Sequence, residues 1–217
     1  MAVEPLTWPE PASISDHFIR IEKLENELLR KAAATVKIDS SISHADNFVF
    51  GAFRRTLAQS RGFRDLIAAK NFPCAAVILR AQIDTAMRVN ALLLIGDREA
   101  FCAGIFDGKR FNVQKDTNGE KLTDAHLRKK LAEQHPWVDE VYRQASDFVH
   151  LSGRHFYNSI ASMDDDTRIM RLVISGTDPP RPDSVYFEIL DVFFRVLKLI
   201  ADLLLGYLEA RRRLCGT

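Results

Sequence analysis

Between Asn71 and Gly96 the chain reads PCAAVILRAQIDTAMRVNALLLI, an apolar run whose only charges are Arg80, Asp84 and Arg88. Residues four apart lie one above another on an α-helix, so the three charges share one stripe and every other face must be covered. A helix of that kind is stable only inside a bundle, and we expect it at the centre. Asn71 and Pro73 suit its start, where first-turn amides lack partners, and Gly96 suits its end. A second apolar stretch, Val185 to Leu208, is interrupted every three or four residues by Glu188, Asp191, Arg195, Lys198 and Asp202. It falls short of the roughly 18 uninterrupted apolar residues of a membrane span and reads as a buried helix with one polar stripe.

The remaining segments follow the same period. Pro5, Pro9 and Pro11 with Trp8 make residues 1–13 an extended arm, and residues 14–217 a single helical domain. Ser13 or Ser15 caps a helix with Phe18, Ile21, Leu24, Leu28 and Ala32 on one face, running to about Val36. Ser43 and Asp46 form a capping box for a helix holding Phe50, Phe53 and Leu57, with a kink expected near Gly62. A short helix over 98–105 precedes a polar loop with an Asn118-Gly119 turn. Thr123 caps a helix to Gln134, Pro136 ends it, and one helix is expected over Trp137–Tyr157. Only RIMRLVIS, residues 168–175, reads as β, pairing with 158–163 as a small hairpin. The fold class is therefore all-α, with about six or seven helices and that hairpin near 158–175.

Thirty basic and 29 acidic residues leave a net charge of +1, so any anion site must be local rather than a property of the whole surface. The three cysteines have no ligand spacing, and the first residues lack a basic segment followed by an apolar core. A reducing, cytoplasmic setting is the expectation, with no membrane partner. No GxGxxG, Walker loop, GxSxG or HExxH occurs, and no cofactor or metal set is expected.

Candidate site residues cluster on WVDEVYRQASDFVHLSGRHFY. As one helix it would bury Val138, Val141, Ala145 and Phe148 and project Arg143, Asp147, His150 and Arg154 from the other side, with Tyr157 nearby. Arg143 and His150, close to two turns apart, would point the same way. A histidine can move a proton near neutral pH and an arginine can hold phosphate charge, so the pair suits metal-free cleavage of RNA by its own 2′-hydroxyl. Arg80, Asp84 and Arg88 either form a buried ion-pair network or line a polar ligand cleft opposite that pair. The alternative for the Arg143 face is a solvated surface tied by local ion pairs.

The helix AAVILRAQIDTAMR together with YRQASDFVHLS resembles a group of uncharacterised bacterial helical proteins over about residues 44–160. More loosely it resembles the HEPN superfamily, helical bundles among which many members are dimeric, metal-independent ribonucleases of toxin and defence systems. Their signature, an arginine, four to six intervening residues and then a histidine, is matched by Arg143-QASDFV-His150. The same spacing recurs at Arg128-KKLAEQ-His135 on a far more polar helix. The resemblance implies Arg143 and His150 as catalytic residues, a homodimer, RNA or a nucleotide as ligand, and an antitoxin protein as a partner. A non-catalytic module binding a nucleotide, nucleic acid or protein is the other expectation. The arm with Trp8 and the apolar helix over 185–208 separately suggest a homodimer.

Overall fold

The computed structural model describes residues 10–35 and 41–214, so most of the expected N-terminal arm lies outside the described residues. Among them are eight α-helices: α1 (Ile14–Thr35), α2 (His44–Ala68), α3 (Phe72–Ala91), α4 (Arg98–Phe106), α5 (Asp124–Gln134), α6 (Trp137–Val149), α7 (Gly153–Ser159) and α8 (Phe187–Leu214). Strands β1 (Ile160–Asp164) and β2 (Ile169–Leu172) form one antiparallel hairpin, pairing Met163 with Met170 and Asp164 with Ile169.

Capping chemistry sets most boundaries. Ser13 Oγ accepts from the Asp16 amide at 3.1 Å, and Ser43 with Asp46 makes the full reciprocal box at the start of α2. Asn71 Oδ1 and Thr123 Oγ1 accept from Cys74 and His126 amides, opening α3 and α5. α2 runs on through Gly62 as one uninterrupted helix. α3 stops at Ala91, earlier than Gly96. Leu92, Leu93 and Leu94 bond back three residues, tightening the chain, and Arg98 Nε holds the Leu92 carbonyl at 2.7 Å.

The larger correction concerns residues 137–157, which are two helices. α6 ends at Val149 and His150 takes an extended conformation. Ser152 then caps α7, accepting from the Arg154 amide at 3.2 Å while its own amide donates to His155 Nδ1. The Ser152 hydroxyl also donates to the Asp147 carbonyl at 2.7 Å, closing the corner. This break raises the helix count to eight.

α3 and α8 share the centre of one hydrophobic cluster. Ile83, Ala86 and Met87 of α3 and Leu190, Phe193, Leu197, Ile200 and Leu204 of α8 are fully buried. Phe63 of α2 stacks on Phe193 with ring centroids 3.9 Å apart. α1 packs along α8, while α2, α6 and α5 pack around α3. The apolar residues of α8 are thus covered within the chain, which removes the ground for expecting a dimer from that helix. The hairpin stands off the bundle, exposed throughout β2. Its return is pinned by Asp178, which accepts from the Phe72 amide, Asn158 Nδ2 and the Tyr186 hydroxyl.

Candidate functional site

α6 buries Val138 and Ala145 and half-buries Val141 and Phe148, and it packs against α3. That packing leaves Arg80 and Asp84 of α3 lining an open cleft of about 440 Å³, with Arg88 outside it. Arg55, Arg80, Asp84, Asp124, Tyr142, Ser146 and His150 line it. Four helices, α2, α3, α5 and α6, therefore contribute a polar side chain to one concavity.

Arg80 is half-buried. Its Nε donates to Ser146 Oγ at 3.1 Å, and its guanidinium carbon lies 3.6 Å from the centroid of the Tyr142 ring. Ser146 in turn donates to the Tyr142 carbonyl at 2.7 Å, so one turn of α6 fixes both supports. Among the described residues no carboxylate lies within 4 Å of Arg80, and neither of its Nη groups donates to a protein acceptor. The other arginines at the site are neutralised. Arg88 makes contacts of 3.0 Å to both oxygens of Asp84 and reaches Asp124 at 3.2 Å, while its guanidinium lies 4.9 Å from the Phe111 ring. Arg55 donates from Nε to Thr85 Oγ1 at 2.9 Å and stands 4.0 Å from Asp84. Arg128, its guanidinium carbon 5.0 Å from the centroid of the Tyr142 ring, pairs with Asp139.

The expected residues divide. Arg80, Asp84 and His150 meet in the cleft. The ladder is not a chain of three, however, because Asp84 pairs with Arg88 and approaches Arg55 while Arg80 turns to Ser146 and Tyr142. Arg143 does not line the cleft: it is 67% exposed and makes two close contacts with the Glu140 carboxylate, at 2.6 and 2.7 Å. Hydrogen bonds from Arg143 and Gln144 hold the Glu140 carboxyl below its usual range, and Glu140 raises Arg143 in return. Since His150 follows the end of α6 with extended backbone, helical spacing no longer aligns it with Arg143. Asp147 and Arg154 pair with each other at 3.6 Å, and Tyr157 is exposed with its edge against Phe156. Arg154 borders a separate small cavity of about 160 Å³ with Phe72, Leu79, Phe148 and Ile189.

No protein family, curated protein or solved structure matches this chain. The chemistry of the cleft must therefore be taken from its own residues. Sequence reasoning missed Arg55, Asp124, Tyr142 and Ser146 as site residues. Ser146 carried a signal, standing four residues before His150 and four after Tyr142 on one helix; Arg55 and Asp124 arrive from other helices, which no local pattern reveals. Among the described residues no group of three or more His, Cys, Asp or Glu side chains could hold a metal ion, and no helix is long and apolar enough to cross a membrane.

Proposed function

We propose that this chain is a HEPN-like helical module that binds a phosphate-bearing ligand, RNA or a nucleotide, in the cleft between α3 and α6. The observation that carries this is Arg80: a half-buried arginine lining the cleft, held in place by Ser146 and Tyr142, with no carboxylate within 4 Å and no hydrogen bond from its Nη groups among the described residues. Guanidinium is a planar fork whose spacing matches two phosphate oxygens, and stacking on an aromatic ring spends none of its N–H donors. Of the charges that line the cleft, Arg55, Arg80, Asp84 and Asp124, both aspartates pair with Arg88 just outside it, and Arg80 is left with no carboxylate within 4 Å among the described residues.

A second reading, metal-independent RNA cleavage, is favoured by His150 lining the same cleft as Arg80. In that case His150 takes the proton of the 2′-hydroxyl as its oxygen bonds to phosphorus, Arg80, rather than Arg143, stabilises the phosphorane charge, and the P–O5′ bond breaks with the 5′-oxygen taking a proton from water, leaving a 2′,3′-cyclic phosphate.

The two are tested together with a short single-stranded RNA. Replacing Arg80 by glutamine should weaken binding about tenfold or more, the loss of one charge-assisted contact, and reduce the salt slope by about 0.7. Arg143→Ala should leave both unchanged. Equal losses in the two variants, or none, would refute the assignment of the cleft. Cleavage products ending in 2′,3′-cyclic phosphate, abolished by His150→Ala, would establish the catalytic reading, and activity surviving that substitution would reject it.

A further inference from the structure

The cavity of about 160 Å³ bordered by Arg154 lies between α3, α6 and the start of α8 and shares no lining residue with the cleft. Its apolar wall is part of the core: Ala76 and Leu79 of α3, Ala145 of α6 and Ile189 of α8 are buried, and Phe148 and Val192 are half-buried beside them. Close-packed cores leave few voids larger than one water. The space arises here because α3 and α6 each bring an alanine, Ala76 and Ala145, to a contact flanked by Leu79 and Phe148. An apolar cavity of about 150 Å³ holds a benzene ring, so this one admits a branched four-carbon chain or a benzyl group.

The polar lining residues are Gln144, Arg154 and Glu188, all exposed. Among the described residues the Glu188 side chain has no ion pair within 4 Å and no hydrogen bond. Arg154 Nε stands 3.6 Å from Asp147, beyond hydrogen-bond length, and its Nη groups donate to no protein acceptor. Gln144 Nε2 donates to Glu140 at 2.6 Å, which leaves its carbonyl oxygen free to accept. Two opposite charges therefore line one cavity without pairing to each other within 4 Å. A simple carboxylate bound at Arg154 would face repulsion from Asp147 and Glu188, and a simple amine at Glu188 would leave the Nη donors of Arg154 unused. A small group carrying both charges satisfies both.

We infer that this cavity binds a free α-amino acid whose apolar side chain is the size of leucine or phenylalanine. The side chain lies between Ala76 and Ala145, the ammonium meets Glu188 and the Gln144 carbonyl, and the carboxylate meets Arg154. The inference is independent of the phosphate site, since the two cavities use different stripes of α3 and α6.

Titration calorimetry on the intact chain with leucine, alanine, leucinamide and 4-methylpentanoate separates the contributions. Leucine should bind, and alanine should bind at least about tenfold more weakly for want of the buried carbons. Leucinamide lacks the carboxylate and 4-methylpentanoate the ammonium, so each should bind about tenfold more weakly than leucine, the loss of one charge-assisted contact. Arg154→Gln should abolish the preference over leucinamide, and Glu188→Gln the preference over 4-methylpentanoate. Both side chains are exposed, so these variants keep the test valid if the cavity-filling Ala76→Leu does not fold. Where circular dichroism shows that variant folded, leucine binding should be lost. Arg80→Gln should leave leucine affinity unchanged. No leucine binding at millimolar concentration, equal binding of alanine, or persistence of both preferences in the charge variants would overturn the inference. A match to leucine by leucinamide would also overturn it and identify a peptide amino terminus as the occupant; a match by 4-methylpentanoate would do so in favour of an apolar acid.

Discussion

Replacing Asp84 by asparagine should move stability and ligand affinity in opposite directions. Asp84 holds Arg88 through contacts of 3.0 Å to each of its oxygens and stands 4.0 Å from Arg55. Water still reaches the pair, with 20% of the Asp84 side chain and 31% of Arg88 exposed. A hydrogen bond to a charged group contributes about 1.5–3 kcal/mol. Partial exposure and the second partner of Arg88, Asp124 at 3.2 Å, place this one at the low end. The expected loss is about 1–2 kcal/mol, not the 3–5 kcal/mol of a fully buried pair broken on one side. For a chain of this length that lowers Tm by roughly 3–6 °C. The same change removes a negative charge from the wall of the cleft. Across about 8 Å at an effective dielectric near 20, its repulsion of a bound phosphate is about 2 kcal/mol. Salt over one Debye length reduces this to about 1 kcal/mol, so phosphate should bind roughly fivefold tighter. Scanning fluorimetry and calorimetry on one preparation read both quantities. An unchanged Tm would refute the ion-pair network, and weaker phosphate binding would show that Asp84 orders the arginines rather than opposing the ligand.

Two further outcomes follow from groups away from the cleft. Asp46 is buried and accepts from the Ser43 amide at 2.9 Å, Arg211 Nε at 2.7 Å and the Tyr207 hydroxyl at 3.1 Å. Burial pushes its carboxyl up, but the bonds from Ser43, Arg211 and Tyr207 outweigh this and hold it below its ordinary 3.8. Because its pKa is depressed on folding, its contribution is present above that ordinary value and is lost as pH falls through the lower folded one. Asp46→Asn should cost about 3 kcal/mol at neutral pH and flatten the acid limb of the Tm profile; an acid limb as steep as the wild type's would count against it. Cys74 is exposed, whereas Cys102 is buried, its thiol pushed up to about 12 by burial with a smaller push from Glu99. A maleimide at neutral pH should modify Cys74 in the folded protein and spare Cys102, as read by peptide mass spectrometry; equal labelling would mean that α4 does not pack as described.

What the sequence made legible was whatever depends on neighbours within one turn. The capping residues Ser43, Asn71 and Thr123, the periodic burial of α3 and α8, and a hairpin expected between 158–163 and 168–175 are all local patterns, and each has its counterpart in the fold, the hairpin as 160–164 with 169–172. The reading failed at Ser152 because one residue satisfies two local rules. Its position fits the 3.6-residue stripe that starts at Val138, yet Ser-Gly is a breaker and a helix cap, and His155 three residues on completes the cap. In a continued helix the Ser152 hydroxyl could bond only back to the carbonyl four residues before it, as Ser146 does to Tyr142, and would cap nothing. Stopping at Val149 lets it bond the Asp147 carbonyl and the Arg154 amide instead, at the cost of leaving Leu151 94% exposed. At the break Ser152 satisfies its hydroxyl and also an orphan amide of the next helix, which a serine in mid-helix does not do. That choice also decides the site. A straight helix would have kept Arg143 and His150 on one face, as the spacing implied; the break frees His150 to lie beside Arg80 and leaves Arg143 to Glu140. Arg80 itself was visible as a charge on an apolar helix, but not its lack of a counter-charge, which depends on Asp84 being taken by Arg88 and approached by Arg55 from another helix. Which charge is left unpaired is a property of the packed bundle, and it is the property on which the proposed binding in this cleft rests.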